Sequence, residues 1–548
     1  MAEDVRKRVA SLFPRQADVP ADADFAAGGG TYERGVDFLI EGKIGAWPGA
    51  TAQALSAVCL RAADGTLSQR VIGPAARQDR AAAGEALAAA RRAWDHGLGA
   101  WPTMRVAGRV EALESFARRM RVVRNESVRL LMWEIGKSRP DAEKEFDRTV
   151  QYINDTVEAL KETDRAGARF SANAGVLAHI RRAPLGVVLC MGPFNYPLNE
   201  TFTTLIPALA MGNTVVVKLP HYGALCQMPL LACFAESFPP GVVNIVNGSG
   251  RELAGPIMET GDVAALAFIG TSRTANELKR LHPQPNRLRC ILGLDAKNPG
   301  IVLADADIDL AVSECVTGAL SFNGQRCTAL KLLFVERAIA DRFVARLADA
   351  VDALPFGMPW EQGVRVTPLP DIDKVQKMGA LVADAVAHGA RVANKFGGAS
   401  QGTFYFPSVV YPVTPAMQLY HVEQFGPVIP VAVFDDPHEV FQYIVESSYG
   451  QQASIFGQDP RRIGPLIDVL ANQVCRINLN TQCQRGPDVY PFAGRKDSGE
   501  GTLSVSDALR CFSIRSMVAV PGTQPNTALL GEMLRERTSN FVNTDYLF

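Results

Sequence analysis

Between residues 185 and 247 the chain alternates short runs that are apolar at nearly every position with helix-patterned stretches. Gly186-Val187-Val188-Leu189 is followed by a helical pattern near residues 198–210. Thr214-Val215-Val216-Val217-Lys218 is followed by another near 224–234, and Val242-Val243-Asn244-Ile245-Val246 closes the series. A strand with one face in water reads apolar and polar by turns. A strand without that alternation needs both faces covered, which is the condition of a parallel sheet flanked by helices. The reading is therefore α/β with a doubly wound sheet, and the crevice at the carboxyl ends of its strands is the place for a dinucleotide. A comparable alternation over residues 300–434 implies a second α/β domain. Apolar positions at three- and four-residue intervals predict helices over 81–94, 105–123 and 143–160. Residues 1–34, which end in a Gly-rich run, carry few periodic apolar positions and read as a loosely packed extension.

With 548 residues the chain has room for two or three domains with substantial cores. Its 47% hydrophobic and 21% charged residues, with a net charge of -1, describe an ordinary globular protein with no basic excess for nucleic acid. No apolar run has the length of a membrane span, and the first residues lack the apolar core of a signal peptide, so a cytoplasmic location is expected. The ten cysteines are scattered singly without a CxxC pair, which argues for reduced thiols. Seven histidines include no HExxH, and no metal is expected.

The stretch richest in chemistry is Ser321-Phe322-Asn323-Gly324-Gln325-Arg326-Cys327-Thr328. It sets a thiol behind a small-residue turn with a guanidinium directly before it. A neighbouring cation lowers a thiol's pKa and attracts an anionic substrate, so Cys327 is a candidate nucleophile. Alone, the octapeptide fits a buried structural cysteine equally well. Upstream, Asn195 in Pro193-Phe194-Asn195-Tyr196-Pro197 sits on a Pro-bounded loop, where its amide suits a developing oxyanion, and also suits a turn.

Together these segments resemble the aldehyde dehydrogenase superfamily over roughly residues 35–520. Gly324-Gln325-Arg326-Cys327-Thr328 and Cys483-Gln484-Arg485-Gly486-Pro487-Asp488 most resemble its non-phosphorylating, NADP-dependent glyceraldehyde-3-phosphate dehydrogenases. The resemblance implies NADP or NAD as cofactor, Cys327 as nucleophile, and an oxyanion site made by Asn195 and the amide of Cys327. It implies a substrate-phosphate pocket of Arg326, Arg485, Arg148 and Tyr196, hence a phosphorylated or similarly anionic aldehyde. On the cofactor side it implies Lys218 at a strand's carboxyl end, and His221 and Tyr222 where NAD-preferring relatives often carry an acid. Gly250, the turn Gly270-Thr271-Ser272 at a helix start, Glu423 for the nicotinamide ribose and Phe425 complete that set.

The chain departs from the family at one position. Aligning Leu292-Gly293-Leu294-Asp295-Ala296-Lys297-Asn298-Pro299 on the usual Glu-Leu-Gly-Gly-Lys puts Gly293 where a glutamate activates water. Three explanations stay open: Asp295 substitutes, although it is offset by about 6–7 Å in an extended segment; a thiol such as coenzyme A takes the acyl group; or the chain is a hydrolysis-deficient binding protein. The expected organisation is an extension (1–34), a dinucleotide-binding domain (35–164 and 184–292), a catalytic domain (293–495), an oligomerisation arm (165–183 and 496–520) and a tail (521–548). The arm implies a homodimer or homotetramer. The tail's aromatic finish suits docking on a neighbouring surface or a frayed end.

Overall fold

A computed structural model describes residues 2–545. Its largest sheet has eight strands in the order Lys43–Ala46, Asp37–Ile40, Val243–Val246, Thr214–Lys218, Val187–Met191, Val263–Ile269, Arg289–Gly293 and Gly499–Glu500. The middle five are parallel. Of these five, Val187–Met191 comes first in the chain and lies in the middle, with the next two strands added on one side and the last two on the other. The winding therefore reverses between Val187–Met191 and Val263–Ile269, and the loops leaving those two strands diverge to open a crevice. Every residue of Val187–Met191, Thr214–Lys218 and Val243–Val246 is buried, as their unbroken apolar runs require.

The second sheet has seven strands, Arg391–Val392, Ser408–Tyr411, Val428–Phe434, Leu330–Glu336, Asn298–Val302, Gln452–Phe456 and Arg476–Leu479. Only the Arg391–Val392 edge is antiparallel. The alternation legible to residue 434 thus continues to residue 479.

Helices cover both faces of the first sheet. Arg80–Trp94 begins where the Asp79 carboxylate accepts the amides of Ala81 and Ala82. Arg139–Gly167 begins on the Ser138 hydroxyl and has proline in its first turn. The latter packs on Asn199–Ala210, a helix buried at all twelve positions. Phe116, Phe202, Phe234 and Phe238 join these layers, with Phe116 and Phe234 stacked at 4.2 Å. Each such buried ring contributes about 1.5–3 kcal/mol.

A three-stranded antiparallel sheet stands apart from both, with Val176–Pro184 between Phe170–Asn173 and Ser513–Pro521. Its hairpin turns through two residues, Ala174 at φ 47° and Gly175 at φ 78°, the left-handed pair that a tight hairpin demands. Ile514 and Met517 on its outer strand are exposed.

Two expectations need correction. Residues 1–34 are not loose: Val9, Phe13 and Ala23 are buried, Trp133 Nε1 donates to the Ala23 carbonyl at 2.8 Å, and Arg70 pairs with Asp24 at 2.9 Å. Val5, Val9, Leu12 and Phe13 recur at helical spacing along and just beyond the short helix Ala2–Ala10, and this single stripe packs on the core. Gly499–Glu500, assigned to the arm, extends the first sheet through Arg289–Gly293. The tail folds back on its own chain: Asn540 bonds Thr103 and Arg105, Asp545 pairs with Arg105, and Val542 is buried. Tyr546 and Phe548, the aromatic finish, lie outside the described residues.

Candidate active site

The nucleophile candidate follows a turn of unusual backbone. Phe322, Asn323 and Gly324 have φ of 48°, 55° and 70°, a run of left-handed residues that only strong local contacts sustain. Asn323 supplies them, donating to the Thr367 carbonyl at 3.0 Å and accepting from the Thr367 amide at 3.1 Å. Gly324 also has no room for a side chain, because a Cβ would meet the Gly426 oxygen at 2.6 Å. The turn ends the helix Ile308–Leu320 and delivers Cys327 just before the strand Leu330–Glu336.

Arg326 does not act on the thiol as its place in the sequence suggests. Its Nη2 donates to the Gly318 carbonyl at 2.9 Å and approaches Gln482 Oε1 at 3.5 Å, so the guanidinium turns away from its neighbour. Burial pushes the Cys327 thiol up to about 11. Glu200 adds to the rise, while Lys331, a Gln451 hydrogen bond and Arg485 oppose it. Adjacent residues point in different directions, so sequence contiguity did not translate into electrostatic contact.

Asn195 is 4% exposed and donates through Nδ2 to the Gln325 carbonyl at 2.7 Å, which ties it to the nucleophile turn. Its own carbonyl accepts from Lys137 Nζ at 2.8 Å. That ammonium is fully buried, pairs with Glu145, and lies 3.6 Å from the centre of the Tyr196 ring. Glu145 in turn accepts the amides of Leu198 and Asn199, which lead into the helix Asn199–Ala210.

Cys327, Asn195, Tyr196, Arg148, Arg326 and Arg485 all line one cavity of about 1030 Å³. The arginines are already engaged. Arg148 holds Asp488 with a two-pronged contact at 2.9 and 2.7 Å, and Arg485 bonds Glu200, Asp488 (3.1 Å) and the Leu503 carbonyl (3.0 Å). Against the burial that raises it, Arg148 and Arg485 hold the Asp488 carboxyl below its ordinary value. Two guanidiniums and two carboxylates make this corner electrically neutral, not the bare cationic cluster expected.

The same cavity reaches the crevice of the first sheet, where Lys218, His221, Tyr222, Gly250, Gly270, Thr271, Glu423 and Phe425 also line it. Burial lowers the Lys218 ammonium to about 8. Burial, then Lys218, keep the His221 imidazole below its ordinary value. Ser272 is the exception among the sequence-predicted residues. It is not part of the lining, and its amide, expected to meet a pyrophosphate, donates to Asp295 Oδ2 at 2.7 Å. Glu423 is paired with Lys331 and accepts the Ala296 amide at 3.2 Å. The buried lysine at a strand's carboxyl end and the open space at Gly250, where a Cβ would meet nothing within 4 Å, fit a dinucleotide across the crevice. The capped amide of Ser272 removes one phosphate donor from that fit.

Gly293 ends the strand Arg289–Gly293 and lines the cavity. A Cβ there would come within 3.0 Å of Leu503 Cδ1. Asp295, two residues on, is committed to capping the helix Ser272–Leu281 through Ser272, which disqualifies it as a free base. Sequence reading missed Glu200 and the Lys137–Glu145 pair. The available signals were a carboxylate opening the largely apolar helix Asn199–Ala210 and a lysine just beyond the Leu130-Leu131-Met132-Trp133 run of the helix Arg124–Ile135.

A family model for the aldehyde dehydrogenase family matches residues 62–518. The NADP-dependent glyceraldehyde-3-phosphate dehydrogenase of Streptococcus equinus is 33% identical over 431 residues, covering 77% of this chain and 87% of the relative. Among solved structures, the NADP-dependent glyceraldehyde-3-phosphate dehydrogenase of Bacillus halodurans complexed with NADP superposes with a TM-score of 0.80 at 28% identity, over 90% of this chain and 100% of that one. An indole-3-acetaldehyde dehydrogenase bound to NAD+ gives 0.81 at 26% identity, over 92% and 100%. The parallel sheet with its crevice, the thiol turn and the asparagine loop facing one cavity, and a match over most of the sequence lead to one conclusion: this chain belongs to the aldehyde dehydrogenase family.

Proposed function

We propose that the protein oxidises a short aldehyde with an anionic tail, glyceraldehyde 3-phosphate first, to its acid with NADP as acceptor. The observation that carries this reading is the shared cavity, in which a half-buried thiol and a buried asparagine amide face three arginines and Tyr196. The Cys327 thiol gives up its proton to solvent as its sulfur bonds the aldehyde carbon, and Asn195 Nδ2 with the Cys327 amide holds the resulting oxyanion. Lys218 and Glu423 are the groups that would hold the cofactor, whose nicotinamide takes up hydride when bound. Arg148, through the Nη1 that Asp488 leaves open, and Arg485, by displacing a carboxylate, receive the phosphate, whose several oxygens suit a planar guanidinium. The relatives named above as NADP-dependent enzymes support the choice of cofactor and substrate.

A second reading, transfer of the acyl group to coenzyme A, draws on one observation, the glycine at position 293. We also take the arm, with its exposed Ile514 and Met517, to join copies of the chain into a dimer or tetramer.

The deciding experiment mixes enzyme, NADP and glyceraldehyde 3-phosphate at enzyme concentrations comparable to the product detected, with and without coenzyme A. Wild type should release at least one equivalent of NADPH. Arg485→Ala should raise the KM for the phosphorylated aldehyde far more than for propanal. Equal effects on both substrates would sink the phosphate pocket, and turnover that depends on coenzyme A would favour the second reading.

A further inference from the structure

The glycine at 293 leaves the second half of this reaction, hydrolysis of the Cys327 thioester, without a base at the expected position. Five carboxylates line the cavity: Asp141, Glu145, Glu200, Asp295 and Glu423. Four are committed elsewhere. Asp141 holds the Ser138 hydroxyl at 2.8 Å, Glu145 pairs with Lys137 and two amides, Asp295 caps Ser272, and Glu423 pairs with Lys331.

Glu200 differs in three ways. Its one side-chain partner among the described residues, Arg485 at Oε2, is a guanidinium that an anionic substrate tail would claim. Of the charged groups, it bears most on the Cys327 thiol, after burial itself. Beside it, Asn199 is 1% exposed and lines the cavity, and among the described residues neither of its amide atoms has a hydrogen-bond partner, so a buried donor and acceptor are placed to hold a water.

We propose that Glu200 is the base that activates water for thioester hydrolysis, and that an anionic substrate tail frees it by taking its place on Arg485. The inference rests on the functional reading above and adds to it the residue and its trigger. A phosphate dianion bonds a guanidinium through two oxygens and outcompetes a single carboxylate for it. The released carboxylate removes a proton from water as the water oxygen bonds the thioester carbon. The oxyanion of that adduct re-forms the carbonyl and expels the Cys327 thiolate. The product acid then gives up its proton to solvent, and Glu200 returns its own to solvent or to the thiolate. Hydrolysis is thereby coupled to the tail, so an uncharged aldehyde acylates the enzyme but leaves slowly.

The test is Glu200→Gln, followed for NADPH from milliseconds to minutes and for acylated protein by intact mass. The variant should keep a burst near one equivalent, accumulate acyl-enzyme, and lose ~10²–10⁴-fold in steady-state rate, the usual worth of general-base help. Added hydroxylamine, which attacks a thioester without a base, should discharge the adduct. Glu200→Asp should recover part of the steady-state rate, and Gly293→Glu in the Glu200→Gln background should recover more. Undiminished turnover in Glu200→Gln overturns the proposal, as does equal loss of burst and steady state, which would mark a structural role. Wild type with neither burst nor turnover overturns the functional reading, and this one with it.

Discussion

Lys137→Met tests how the oxyanion loop is held. The Lys137 ammonium and the Glu145 carboxylate are both fully buried, and the ammonium also bonds the Asn195 carbonyl and lies over the Tyr196 and Phe322 rings at 3.6 and 4.4 Å. Methionine keeps most of the stem's volume and removes the charge. Glu145 still accepts the Leu198 and Asn199 amides at 3.0 and 3.3 Å, but its charge is left in the interior without a counterion. Breaking such a pair costs about 3–5 kcal/mol, whereas replacing both members by neutral groups costs far less. Lys137→Met/Glu145→Gln should therefore recover roughly 2–3 kcal/mol of the single variant's loss, a coupling typical of groups in one network. Because Asn195 loses its anchor, kcat should fall by about 10²-fold, the cost of a misplacement on the order of 1 Å. Urea unfolding of wild type and the three variants, with kcat measured in parallel, closes the cycle. A Lys137→Met penalty below about 1 kcal/mol, or a double variant as unstable as the sum of the singles, would refute the reasoning.

Two further outcomes follow from the ionisable groups. With the Cys327 thiol pushed up to about 11 by burial, the iodoacetamide reaction lost in Cys327→Ala should accelerate about tenfold per pH unit between about pH 7 and 10 in the cofactor-free enzyme, and a plateau near pH 8 would contradict it. Lys218, lowered to about 8, carries its charge below that pH and loses it above, so the Kd for NADP should weaken as pH rises through about 8 while that for NAD stays level. Parallel curves for the two cofactors in direct binding would exclude Lys218 as the partner of the extra phosphate.

Much of the architecture was legible because it follows from local pattern. A strand such as Thr214–Lys218, with three consecutive valines and every residue buried, has one stable environment, and that environment fixes the sheet type. Motif order then pointed to the cavity, since the Asn195 loop and the Cys327 turn each carry their backbone instructions in a few adjacent residues. The N-terminal segment failed for the same reason in reverse. Phe13 is 2% exposed at the end of the short apolar stripe Val5, Val9 and Leu12, because that stripe is buried by residues distant in sequence, Gly402 among them.

The two parallel sheets, the thiol turn and the loss of a carboxylate at Gly293 are each written in short stretches of adjacent residues. Which charges meet depends on packing alone. Arg326 turns from the cysteine it precedes, while Arg485 reaches Glu200 from 285 positions away and Arg148 reaches Asp488 from 340. Element type follows from the period of apolar residues along a few turns or pleats, but a charge's partner depends on how whole sheets pack. At low dielectric that packing decides whether an arginine awaits a substrate or already holds a carboxylate.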